Sequence, residues 1–340
     1  MIYRSKAPLR IGLAGGGTDV SPYSDLFGGA ILNATVSLYA SATIEPLEEQ
    51  IIILQAIDRK EEQKFSIDTL LPIDGKLDLL KGVYNRIRKD YGIPSKGFRL
   101  STHVDAPAGS GLGTSSTLVV AIIGVFAEML RLPLGDYDIA HLAYDIERND
   151  LNMAGGKQDQ YAATFGGVNF MEFYANDQVI VNPLRIRKEY LFELENNLLL
   201  YYTATSRESA KIIEKQSRNV LEKKEKSIEA MHQLKLQAQQ MKEAILKGRL
   251  HEIGKILDFG FEQKRQMAEG ISNSMMEEIY STAKNAGATG GKISGAGGGG
   301  FMIFYCPGIA KFQVADALKK FGGHSKNYQF VDHGLTTWTI

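Results

Sequence analysis

Residues 107–116 read Pro107-Ala108-Gly109-Ser110-Gly111-Leu112-Gly113-Thr114-Ser115-Ser116, three alternating glycines running into three hydroxyl side chains. Glycine lets a backbone approach an anion closely, and a helix opening at the hydroxyls would aim its free N–H groups and its positive dipole end at that anion. A tight turn before a buried helix would explain one or two of these glycines, not three in alternation followed by Thr-Ser-Ser. The segment therefore reads as a phosphate cradle. It is not a Walker A loop, because no Gly-Lys-Ser/Thr follows at the required spacing, and it lacks the Gly-x-Gly-x-x-Gly of dinucleotide-binding folds.

On either side of the loop, residues 97–104 predict a strand and 115–130 a buried apolar helix. Further upstream, 77–90 has apolar spacings of three and four and predicts an amphipathic helix. Strands are expected over 9–13, 30–44 and 51–57. The second of these alternates Val36, Leu38, Ala40 and Ala42 with polar partners, and the third ends in a charged turn over 58–62. Downstream, 136–149 predicts a helix with Asp136 as its N-cap, and 155–167 a loop around Lys157-Gln158-Asp159. The polar stretch 176–188 marks a domain boundary near residue 180, giving units 1–180 and 181–340. Residues 197–203 then open the second unit as a strand. Charged helices follow over 206–247, 253–267 and 275–285, with β character over 300–305 and 328–340.

A magnesium ion between nucleotide phosphates takes a hydroxyl and one or two carboxylates and keeps several waters. Thr114, Ser115 and Ser116 supply hydroxyls, while Glu147 and Asp159 are the downstream carboxylates. Either acid would pass for a surface residue on composition alone. The glycines at 155 and 156 favour Asp159, because a glycine loop is expected where something passes close to its backbone. Two further glycine segments flank this centre. Residues 10–19 combine Arg10 with Gly15, Gly16, Gly17, Thr18 and Asp19, a carboxylate suited to paired sugar hydroxyls. Residues 290–300 carry eight glycines and Lys292, and read as a backbone wall against substrate through Gly297 and Gly298.

The 340 residues suit two domains, and 44% hydrophobic with 23% charged residues is a globular composition. Thirty-nine basic residues offset thirty-nine acidic ones, so no global field favours nucleic acid or an anionic membrane. Neither partner is expected, and an anion must be held by a local site. The single Cys306 excludes an internal disulfide and fits a cytoplasmic protein. No signal-like start or membrane-length apolar run is present. Oligomeric state is not readable.

The three glycine segments, in this order, resemble the family of galactokinase, homoserine kinase, mevalonate kinase and phosphomevalonate kinase over nearly the whole chain. The resemblance implies an α+β fold of two domains. The first would be a ribosomal-protein-like α/β domain with a left-handed β-α-β crossover, the second ferredoxin-like, with ATP in the cleft between them. It implies that Pro107, Gly109, Ser110, Gly111, Leu112, Gly113, Thr114, Ser115 and Ser116 hold the nucleotide. Ser115 and Glu147 would bind magnesium, and Asp159, grouped with Arg10, would be catalytic. Thr114 stands where a serine is common, and the spacing from Glu147 to Asp159 is one residue longer than in mevalonate kinases.

Lys6-Ala7-Pro8-Leu9-Arg10, Ala14-Gly15-Gly16-Gly17-Thr18-Asp19 and Phe27-Gly28-Gly29 are most similar to the bacterial heptose 7-phosphate kinase branch and, more distantly, to fucokinases. Gly16-Gly17 replaces the Glu-His pair of galactokinases. That branch implies transfer to the anomeric hydroxyl of D-glycero-D-manno-heptose 7-phosphate. Gly16, Gly17, Thr18, Asp19, Lys157, Arg207, Gly297 and Gly298 are then expected at the substrate. A phosphorylated substrate needs a second anion pocket, for which Arg10, Lys157, Arg207 and Lys292 are candidates. A fucokinase-like sugar 1-kinase and a non-catalytic sugar-phosphate sensor are the alternatives.

Overall fold

The computed structural model describes residues 1–67, 69–93, 96–205 and 209–340; Arg207 lies outside them. Strand β1 (Tyr3–Ala14) carries the apolar run Leu9, Ile11, Leu13 and pairs antiparallel with β2 (Gly29–Pro46), with the short helix α1 (Tyr23–Phe27) between them. From Val36 onward β2 alternates buried and half-buried residues, as its sequence predicts. Its first half, 29–36, is buried throughout, because both faces are covered.

Strand β3 (Ile51–Ala56) turns into β4 (Glu61–Ser66). The charged stretch expected to be only a turn thus donates Glu61 and Glu62 to an edge strand, where charged side chains reach water and discourage pairing with other chains. Helix α2 (Asp78–Tyr91) leads to β5 (Phe98–Val104), which lies parallel to β3 and antiparallel to the second half of β2.

Helix α3 (Thr114–Leu130) is apolar on most sides and buried, as read from the sequence. Helix α4 (Asp136–Asp145) is capped by Gly135, whose N–H donates to Asp138. Asp136 is therefore a first-turn residue and not the expected N-cap. The chain widens into one π turn over Ile146–Asp150. Helix α5 (Gln158–Phe165) occupies most of the stretch expected to be a loop, which places Asp159 in a helical first turn. Strands β6 (Val168–Phe173) and β7 (Val179–Pro183) extend the first half of β2. Strand β7 spans residue 180 and belongs to this first sheet.

Helix α6 (Lys188–Asn197) precedes β8 (Leu198–Tyr202). Four helices follow: α7 (Ser209–Leu221), α8 (Glu225–Leu246), α9 (Ile253–Met267) and α10 (Ser274–Asn285). Strands β9 (Gly290–Ile293) and β10 (Phe301–Tyr305), helix α11 (Ala310–Leu318) and strand β11 (His324–Ser325) complete an antiparallel sheet of order β11-β8-β10-β9. Numbered within this unit the order is 4-1-3-2, the expected ferredoxin-like arrangement. The last strand, β12 (Thr336–Thr339), returns to pair with β1.

A shared core joins the two sheets. Leu9, Ile11, Leu13 and Leu32 of the first pack with Leu198, Leu200, Phe301 and Ile303 of the second and with Met241 of α8. Among the described residues no helix is long and apolar enough to cross a membrane.

Candidate active site

The alternation of glycines in the central loop has a conformational cause. Gly109, Gly111 and Gly113 have φ of 72°, 83° and 77°, the left-handed region that other residues enter at a cost. The residues between them point inward. Leu112 joins the core shared by the two sheets, and Ser110 is fully buried with its hydroxyl oxygen lacking a partner. Gly113 caps α3 without any side-chain bond, so the first-turn N–H groups at Thr114, Ser115 and Ser116 are not satisfied by a side chain.

The loop faces a cleft of about 420 Å³ lined by both halves of the chain. Arg10 crosses its floor from β1. Its guanidinium donates through Nε to Asp159 Oδ1 at 2.7 Å, reaches the same oxygen from Nη2 at 2.6 Å, and bonds the Gly111 carbonyl at 2.6 Å. One side chain thereby fixes a carboxylate and the glycine loop together. The Gln158 amide also donates to Asp159 Oδ1, at 3.1 Å, while its own carbonyl oxygen has no partner.

Glu147 sits on the π turn, an irregularity often found at functional positions. It is buried, accepts from Gln160, and lies 3.7 Å from Arg148. Burial pushes its carboxyl above the usual carboxylate range, against the pull of Arg148, Ser116 and Gln160, and the neighbouring Asp159 adds to the rise. The expected close passage at 155–156 is present. A Cβ on Gly155 would strike the Arg148 guanidinium, and one on Gly156 would strike the Asp19 carboxylate. Asp19 accepts from the Gln158 N–H at 3.0 Å, and burial raises its pKa.

Gly16, Gly17 and Asp19 line the cleft with Gly109, Gly111, Gly113, Thr114, Ser115, Ser116, Glu147 and Asp159. Other expected residues lie elsewhere. Thr18 is wholly buried, bonding Gly15 and Ala30 to tie its turn to β2. Pro107 is exposed outside the cleft and accepts from the Ser110 N–H. Lys157 is spent on Asp25 at 3.3 Å and Asp177 at 2.9 Å, away from the cleft. Gly297 and Gly298 pack on Ile271, and it is Gly295 and Ala296 that reach the cleft.

Lys264 escaped the sequence reading although its signal was there. It falls on the buried stripe of α9 with Leu257, Phe261 and Met267, where a lysine is out of place. The α7 residues Ala210, Ile213, Glu214 and Gln216 also reach the cleft unforeseen.

A glycine loop at a helix N-terminus, a carboxylate pinned by arginine and a cleft walled by two sheet systems define a small-molecule phosphotransferase. Residues 78–167 match the GHMP kinases N terminal domain and residues 241–324 the GHMP kinases C terminal domain. A D-glycero-alpha-D-manno-heptose 7-phosphate kinase of Campylobacter jejuni is 48% identical over 99% of each chain. The crystal structure of a D-glycero-D-manno-heptose 1-phosphate kinase from Bacteroides thetaiotaomicron superposes with a TM-score of 0.85 at 46% identity, covering 99% of each chain. An L-fucokinase/L-fucose-1-P guanylyltransferase of Bacteroides fragilis is 28% identical, covering 87% of this chain and 34% of that longer protein. The chain belongs to the GHMP kinase family, ATP-dependent enzymes that phosphorylate an alcohol group.

Proposed function

We propose that this kinase transfers the γ-phosphoryl group of ATP to the anomeric hydroxyl of D-glycero-D-manno-heptose 7-phosphate, giving the 1,7-bisphosphate as a precursor of surface polysaccharide. A bond forms between the anomeric oxygen and the γ-phosphorus as the bond to the β,γ-bridging oxygen breaks. ADP leaves, and the hydroxyl proton passes to Asp159. The carrying observation is the Arg10–Asp159 pair at the mouth of the glycine loop, read together with full-length identity to a heptose 7-phosphate kinase.

In this reading the N–H groups from Gly109 to Ser116 bind the nucleotide phosphates. Arg10 holds the Asp159 carboxylate in one orientation, so that it meets the acceptor hydroxyl without reorganising. Asp19, beside Gly16 and Gly17, receives sugar hydroxyls, and the unpartnered Gln158 carbonyl accepts another. Ser115 and Glu147 fit magnesium, since both face the cleft and offer the hard oxygen donors that ion takes. Bound there, the ion would neutralise charge on the β- and γ-phosphates.

Residues 1–180 and 181–340 are proposed as the two working units, with β12 returned to the first. ATP dependence supports a cytoplasmic setting. Balanced charge supports a small-molecule partner rather than a nucleic acid.

The L-fucokinase relative supports a second reading, an unphosphorylated sugar as acceptor. ADP release measured over heptose, heptose 7-phosphate, fucose and galactose separates the two. Turnover confined to heptose 7-phosphate is expected, turnover on fucose alone replaces the proposal with the second reading, and no turnover on any sugar points to a non-catalytic sensor.

A further inference from the structure

Two lysines from the second half of the chain line the cleft with only 4% and 5% of their surface exposed, Lys264 on α9 and Lys292 on β9. Among the described residues neither ammonium has a carboxylate within ion-pair distance. Lys292 donates to the Gly12 carbonyl at 2.8 Å and Lys264 to that of Gly295, so each keeps two N–H donors uncommitted. Lysines this buried are almost always paired. These two face one another and Arg10 closely enough that each is disfavoured by neighbouring positive charge.

Both point at the first glycine segment. A Cβ on Gly16 would stand 3.7 Å from either Nζ, and one on Gly12 would stand 3.8 Å from that of Lys292. The other end of the cleft differs, because a Cβ on Gly113 would meet the Asp159 carboxylate at 3.1 Å. The cations gather on the acceptor side of the cleft and away from the nucleotide loop.

We propose that Lys264 and Lys292 form the pocket for the phosphate that the acceptor already carries, with Gly16 left bare so that a dianion can enter between them. The assignment rests on the reading of this cleft as a phosphoryl-transfer site. It replaces Lys157, whose charge is already matched by Asp25 and Asp177. A dianion supplies the charge that the protein withholds, and each ammonium bond to it is charge-assisted.

The test uses the full chain and the variants Lys264→Met and Lys292→Met, which keep length and remove charge. With a non-hydrolysable ATP analogue saturating the nucleotide site, orthophosphate should raise the melting temperature of the wild type, and this shift should vanish in both variants. In turnover assays KM for heptose 7-phosphate should rise at least tenfold while KM for ATP stays within about twofold. Both variants should melt no lower than the wild type in buffer alone, since an unpaired buried charge is removed.

An unchanged orthophosphate shift in the variants would overturn the proposal, as would a raised KM for ATP with KM for the acceptor unaltered. A lowered melting point in buffer would assign the lysines a structural role instead. The orthophosphate measurement needs no sugar, so it stands even where no sugar phosphate proves to be a substrate.

Discussion

Two glycine-rich segments of this chain look alike on paper and differ in what the missing side chains achieve. In the loop over 109–113 the glycines hold left-handed φ values, so the chain folds into a cradle whose N–H groups face open space. In 290–300 the first four residues are an ordinary buried strand, β9. The rest presses against other backbone. A Cβ on Gly295 would sit 2.6 Å from the Gly111 Cα, and one on Gly297 would sit 2.7 Å from the Ile271 carbonyl. One set of glycines buys curvature toward a ligand, and the other buys contact between chain segments.

The sharpest test of this contrast is at the carboxylate the first loop surrounds. Asp159→Asn removes the proton acceptor but keeps the Arg10 neighbour, and ADP-release turnover should fall at least about 100-fold while ATP affinity changes little. Retained turnover would remove the chemical reason for the cradle.

Gly113→Ala should come next. The new methyl lies 3.1 Å from the Asp159 carboxyl carbon and forces a left-handed φ on alanine, at about 1–2 kcal/mol. Turnover should drop about tenfold with only a small fall in melting temperature.

Gly291→Ala should reverse that pattern. Its methyl would stand 2.5 Å from a Phe304 ring carbon and 2.6 Å from the Ile303 carbonyl, overpacking that costs about 1–3 kcal/mol. The melting temperature should fall by several degrees, and kcat of the folded fraction should hold. Equal losses of activity in the last two variants would erase the distinction between the segments.

The smallest effect concerns pH. Burial, reinforced by Arg10, depresses Lys264 to about 8 from 10.5, with Asp19 opposing. Lys292 and Arg10 are the cations that face it. The folded protein therefore binds fewer protons than the unfolded chain between about pH 8 and the ordinary lysine range. Stability gains from this group as pH rises through that window, and acceptor binding weakens as the ammonium loses its proton. KM for the acceptor measured from pH 7 to 9.5 should climb above pH 8, and the climb should flatten in Lys264→Met.

Much of the fold was legible because its signals are local. The apolar period of α2, the alternation in the second half of β2 and the uninterrupted hydrophobicity of α3 each follow from neighbouring residues. Strand β4 and helix α5 were not legible. The charges of Glu61 and Glu62 suit a turn until an edge position gives them solvent, and Gly155-Gly156 suggest a loop that ends two residues before Asp159.

By itself the sequence determined the phosphate loop, the order of the three glycine segments and hence the family, because spacing along the chain carries those signals. Tertiary structure alone decided the pairings. Arg10 and Asp159 are 149 positions apart, Lys157 is neutralised by Asp25 and Asp177, and Lys264 and Lys292 are left without carboxylates. Whether a charge is free or matched depends on which distant segments burial brings within a few ångströms, and no spacing in the chain records that distance.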